Sequence, residues 1–152
     1  TGFSARQVRD IYDLRWMLEK RAVECIFAEK SRSLSPILEV LHKVEAAAIR
    51  EDKDEADWFN LDIQFHRAMI AASGNRALLK AWEINSPVMY ALLALNTRRD
   101  YREQYIREFH HKHKKLFDFI VAGNSGFFDY LRIHIIDAEK LATEKKYNVP
   151  RR

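Results

Sequence analysis

The sequence predicts an all-α fold, an antiparallel helical bundle, and three observations point to it. Turn formers are scarce: 4 Gly and 3 Pro occur in 152 residues, about 5% where average usage gives roughly 12%. A β-sandwich or barrel that turns every few residues needs more of them. Apolar residues, 47% of the chain, recur at spacings of three and four, the helical period. The stretches that interrupt this period are short, which makes consecutive helices antiparallel neighbours.

Six helical segments follow in order. The first spans about Ala5 to Lys30, with Ser4 as N-cap and a stripe of Val8, Ile11, Arg15, Leu18, Ala22 and Cys25. Ser35-Pro36 reads as an N-cap followed by proline at the first helical position. The second helix carries Leu38, Leu41, Glu45 and Ala48 and ends in the charged run Arg50-Glu51-Asp52-Lys53-Asp54. The third, Glu55 to Ser73, sets Trp58, Leu61, Asp62, Phe65, His66, Met69 and Ala72 on one side, and Gly74-Asn75 stops it. The fourth runs from Arg76 towards Thr97, with Pro87 predicting a kink or break. The fifth, about Tyr101 to Val121, turns Ile106, Phe109, His113, Leu116, Phe117 and Ile120 inward, and Ala122-Gly123-Asn124 ends it. Ser125 caps the sixth, whose stripe is Phe128, Leu131, His134, Ala138 and Leu141; the tail after Lys145 reads as frayed.

Composition narrows the class. One domain, residues 1–152, accounts for the length. The longest apolar run, Val88 to Leu95, is far too short for a membrane span, and Thr1-Gly2-Phe3-Ser4-Ala5-Arg6 has no apolar signal region. The single Cys25 forms no intrachain disulfide and suits a cytoplasmic protein. The net charge of +4 comes from interleaved acids and bases, so it is weak evidence for nucleic-acid contact. No P-loop, dinucleotide fingerprint or nucleophile elbow is present.

The informative residues are polar ones where the stripes call for apolar ones. Asp62 and His66, four apart, project together from the third helix. His113 lies between Phe109 and Leu116, and His134 between Leu131 and Ala138. Burying such groups unpaired costs several kcal/mol. A divalent ion resolves the conflict, since imidazole nitrogen and carboxylate oxygen suit zinc and its first-row neighbours. A lone histidine in a stripe is most simply a hydrogen-bonded core residue; the convergence of three with Asp62 favours a metal. Arg15 cannot shed its charge. It either pairs with an acid such as Glu19 or Asp62, extends to solvent, or forks onto the carboxylate of a bound small molecule. In His110-His111-Lys112-His113-Lys114-Lys115 only His113 faces inward; the lysines form a solvated face. Glu39-x-x-His42 and Glu108-x-x-His111 imitate di-iron motifs but lie off the apolar stripes.

Arg15-x-x-Leu18-Glu19, Leu61-Asp62-x-x-Phe65-His66-Arg67-Ala68, Ala71-Ala72-Ser73-Gly74-Asn75, Leu78-Leu79, His113-Lys114-Lys115-Leu116, Ala122-Gly123 and His134-Ile135 together resemble the FCD domain. This is the C-terminal effector-binding domain of FadR-type regulators in the GntR family of bacterial transcription factors. The resemblance covers about Val8 to Leu141. It implies about six to seven helices around a central ligand cavity, a homodimer, and a divalent ion on Asp62, His66, His113 and His134. Zinc is the foremost candidate, with nickel or another first-row metal as alternatives. It implies further that Arg15 contacts a small organic-acid effector. DNA binding belongs to an N-terminal winged helix-turn-helix that precedes such domains and that this chain is expected to lack. Two departures stand out. Lys112 replaces the acid that usually precedes the third ligand, and the stretch from Gly123 to His134 is one residue shorter. A deletion in the turn keeps the helix face, whereas one inside the helix rotates His134 by about 100°.

The expected function is therefore a cytoplasmic ligand-sensing domain, not an enzyme. Two rivals remain at this point. A metal-dependent hydrolase or lyase needs a spare acid or base beside the ion, for which Glu19 and Glu45 are the candidates. A purely structural metal site in a dimerisation module needs no effector.

Overall fold

The computed structural model describes residues 3–50, 55–96 and 99–144, with side chains at 3–50, 58–94 and 104–140. Six helices make up the described residues: α1 (Ala5–Ala28), α2 (Ser35–Ile49), α3 (Glu55–Ala72), α4 (Arg76–Asn96), α5 (Arg99–Ala122) and α6 (Gly126–Glu144). There is no strand among them. α1 is the central rod, packing on α3, α4, α5 and α6; α2 bridges α3 and α5. No helix among the described residues is long and apolar enough to cross a membrane.

Local chemistry sets the boundaries. The Ser4 hydroxyl accepts the Gln7 N–H while the Gln7 side chain accepts the Ser4 N–H, a reciprocal box that starts α1. α2 differs from expectation: Leu34 is the N-cap and Ser35 already lies inside the helix. Ser33 takes the capping part, its hydroxyl accepting from Ser35 N–H at 3.3 Å. Gly74, at φ +69°, ends α3 in the left-handed region. Asn75 belongs to the next helix, its side-chain oxygen accepting from the N–H groups of Ala77 and Leu78. Pro87 does not break α4. The proline cannot bond the Glu83 carbonyl, and the Ser86 hydroxyl donates to that oxygen instead, at 3.1 Å. At the α5–α6 turn, Asn124 accepts from Gly126 N–H at 2.8 Å.

The buried faces agree with the sequence reading in α3, where every stripe residue is buried. They are rotated in α1 and α2. α1 buries Val8, Tyr12, Arg15, Leu18, Glu19, Ala22, Val23 and Ile26, and Ile11 and Cys25 lie at the margin. α2 buries Ile37, Val40, Leu41 and Val44, leaving Leu38 and Ala48 exposed. In α6, Phe127, Leu131 and Ile135 form the core face beside half-buried Phe128, His134 and Ala138. Leu141 and the tail after Lys145 lie outside the residues whose side chains are described, as does most of the run Arg50–Asp54. The main core joins all six helices, α4 through Leu92; a second cluster of Leu18, Ala22, Ile70, Trp82 and Met89 further locks α4 onto α1 and α3.

Candidate metal and effector site

The register question turns on the sixth helix. Its first residue is Gly126, and His134 comes to the same place as the ligand candidates of α3 and α5. One donor atom from each of Asp62, His66, His113 and His134 lies within 4.8 Å of the others. The first three are almost fully buried. The three imidazoles stand around one point, with centroids 5.3–5.4 Å apart, and Phe65, Phe109 and Trp82 pack against them.

Hydrogen bonds assign the ring nitrogens. His113 Nδ1 lies 2.7 Å from the Phe109 carbonyl; a carbonyl only accepts, so Nδ1 carries the proton. His66 Nδ1 meets a carboxylate oxygen of Glu19 and donates in the same way. In their neutral forms both rings therefore present the Nε2 lone pair, and both face Asp62 Oδ1, at 3.2 Å from His66 and 3.3 Å from His113. Acceptors face acceptors there. His66 Nε2 is also a buried atom with no hydrogen-bond partner. Such a juxtaposition calls for positive charge, either a proton on one of the rings or a metal ion between them. The donor chemistry, three nitrogens and one oxygen, fits a first-row divalent metal.

The surroundings complete the arrangement. Asp62 Oδ2 accepts from the Tyr105 hydroxyl at 2.9 Å. Arg15 Nε donates to the second Glu19 oxygen at 2.8 Å, so one carboxylate joins Arg15 to His66. Arg15 Nη2 is buried without a partner. Of the readings open for Arg15, pairing with Glu19 is the one the structure shows, with donor capacity left over.

Charge states follow from these contacts. Burial opposes ionisation of Asp62, but His113 and His66, when protonated on both nitrogens, donate to it from Nε2, and these hydrogen bonds hold the carboxyl well below its ordinary value. Burial likewise opposes Glu19, and the charges of His66 and Arg15 bring it below. Burial, aided by the His66 charge, depresses His113 against the pull of Asp62, and burial with the nearby charges of His113 and His66 drives His134 well below 6.5. For His66 burial and Arg15 depress, yet Glu19 and Asp62 win and raise it. Burial pushes the Tyr12 phenol, beside Arg15, up to about 12.

A pH prediction for the metal-free domain follows. His113 and His134 take up protons in the unfolded chain near 6.5 but not in the native one, so stability is lost as pH falls below that value. His66, with its raised value, opposes this alone; Asp62 and Glu19 add further loss at lower pH. The urea midpoint in chelator should be lower at pH 5.5 than at pH 7, and an equal or higher midpoint contradicts the assignment.

The other candidates behave as solvated groups. Lys112 pairs with Glu108, Lys114 with Asp118, and Lys115 lies over the Tyr130 ring. Glu39, His42 and His111 are exposed. Glu45 meets His110 at the surface, and Glu19 is bound to both Arg15 and His66, so neither stands as a spare catalytic base. Tyr105 and the Phe109 carbonyl were invisible to stripe reading. Glu19 carried a signal, being four residues beyond Arg15 and so on its face.

The fold and the site together make this an all-helical domain with one enclosed polar cluster, and comparison with known proteins places it. The chain belongs to the FCD domain family, whose profile matches residues 10–126. That span takes in Arg15, Asp62, His66 and His113 and stops short of His134. The uncharacterized HTH-type transcriptional regulator YdhC of Bacillus subtilis (strain 168) is 28% identical over 125 residues, 82% of this chain and 54% of the relative. The chain thus spans about half the length of that curated relative. Among solved structures, the metal-free FCD domain of TM0439 shares the fold, with a TM-score of 0.73 at 19% identity over 98% of this chain and 100% of that one.

Proposed function

We propose that this is the ligand-sensing domain of a cytoplasmic GntR-type, FadR-subfamily transcriptional regulator that works as a homodimer. Asp62, His66, His113 and His134 hold a divalent metal, zinc before nickel or another first-row ion. Arg15 clamps the carboxylate of a small organic-acid effector, and DNA is bound through a winged helix-turn-helix of the parent protein. The observation that carries this reading is the gathering of one donor atom from each of Asp62, His66, His113 and His134 within 4.8 Å of one another in a buried site, a donor set that suits a divalent cation.

When bound, the ion supplies a Lewis-acidic anchor for oxygen ligands. The chain does the rest. Glu19 and the Phe109 carbonyl hold two rings in the ligating tautomer. The apolar walls limit water, which strengthens any ion pair formed with Arg15. The effector can alter DNA affinity only through its different affinity for two arrangements of the dimer.

Elemental analysis of the purified domain should find stoichiometric first-row metal. A thermal-shift screen of small mono- to tricarboxylic acids should find stabilisation in the metal-loaded protein that chelator abolishes. Absence of metal, or acid stabilisation that survives chelation unchanged, overturns the reading.

A further inference from the structure

We infer that Glu19 is a positioning residue that couples the two halves of the site, setting His66 for the metal and Arg15 for the anion through a single carboxylate. This rests on the metal site proposed above and goes beyond it, since it assigns the site an internal linkage. Glu19 is fully buried. One oxygen takes the His66 Nδ1 proton and the other takes Arg15 Nε–H at 2.8 Å.

The two far ends of this chain are the informative part. His66 Nε2 and Arg15 Nη2 are both buried and both lack a hydrogen-bond partner, although the groups between them are fully engaged. Of the four such atoms among the described residues, these two stand at the opposite ends of one ion-pair chain, where further ligands would satisfy them. A carboxylate on the remote nitrogen of a ligating imidazole fixes its tautomer and raises its donor strength. That same carboxylate is drawn upon by Arg15. A guest that engages Arg15 weakens its hold on Glu19, leaves more of the charge to His66 and tightens the metal. By reciprocity the metal tightens the guest by the same factor.

The test uses zinc alone, in competition with a chromophoric chelator, on the wild-type chain, Glu19→Gln, Arg15→Leu and the double variant. Glu19→Gln keeps the shape and an acceptor oxygen but not the charge. Zinc affinity should fall roughly ten- to a hundredfold while helicity by circular dichroism is retained. Arg15→Leu should tighten zinc in the wild-type background and have a clearly smaller effect on top of Glu19→Gln. Zinc affinity of Glu19→Gln within twofold of wild type, or strictly additive effects, overturns the coupling and leaves the metal site standing. A wild-type chain that binds no zinc, nickel or cobalt overturns the metal reading itself. An independent readout needs no variant: long-range 1H–15N spectra of His66 should show the proton on Nδ1 and the resonance of Nε2 moving on zinc addition. A proton on Nε2 in the zinc-loaded protein refutes the arrangement.

Discussion

Alanine at His66 should lower bound metal from stoichiometric to none and cost the metal-free domain about 3–5 kcal/mol, the usual loss when one partner of a buried charged network is removed. The size comes from what is left behind. Glu19 loses the donor on one oxygen, and Asp62 loses one of its two imidazole neighbours, in a region almost closed to solvent. His134→Ala is the informative control. It removes a ligand and should likewise empty the site, but both carboxylates keep their contacts to His66 and to Arg15 or His113, so its stability cost should be clearly smaller. Metal analysis and urea unfolding in chelator measure the two effects separately. Stoichiometric metal retained in either variant is incompatible with the four-ligand site.

Arg15→Leu should also cost about 3–5 kcal/mol, because it takes from a buried carboxylate its one permanently charged partner, and should remove any stabilisation by organic acids. Adding Glu19→Gln to it should recover part of that loss. Arg15 and Glu19 are both almost wholly enclosed, with side-chain exposures of 5% and 0%, so their desolvation is suffered jointly and neutralising both relieves it. The double variant should therefore be more stable than Arg15→Leu by roughly 1 kcal/mol or more, the sign expected for strongly coupled neighbours. Additive destabilisation in urea unfolding rules this out. The double variant should still fail to respond to acids.

Much of this organisation was legible in the residues alone. The α3 stripe is legible because Trp58, Leu61, Phe65 and Met69 are large apolar residues at helical spacing, and Phe59, Ala68 and Ile70 widen the buried face beyond it. The buried face of α2 departs from its stripe because Ile37, Leu38, Val40, Leu41, Val44 and three alanines offer several apolar faces, and only packing on α3 and α5 chooses among them. In α1 the error was subtler. Ile11 and Cys25 suggested one stripe, whereas the buried face runs through Tyr12, Glu19, Val23 and Ile26, and an acid is not expected inside until its partners are known. The four ligand candidates could be named because His and Asp interrupt apolar stripes. Their partners could not, since Tyr105 is half-buried and ordinary in sequence and the Phe109 contact is made by backbone. Pro87 failed as a helix breaker because the neighbouring Ser86 hydroxyl compensates for the lost bond, a local remedy that propensity does not register.

The Tyr105 hydroxyl on Asp62 Oδ2 bears on which ions the domain can tell apart. It leaves the carboxylate a single oxygen to offer, beside three imidazole nitrogens. Calcium wants six to eight oxygens and magnesium an octahedral shell of them, so both alkaline earths are poorly served here. In the metal site proposed above, the abundant background ions of a cell would thereby be denied entry, and selectivity for scarce, softer cations would be written into a phenol that never touches them.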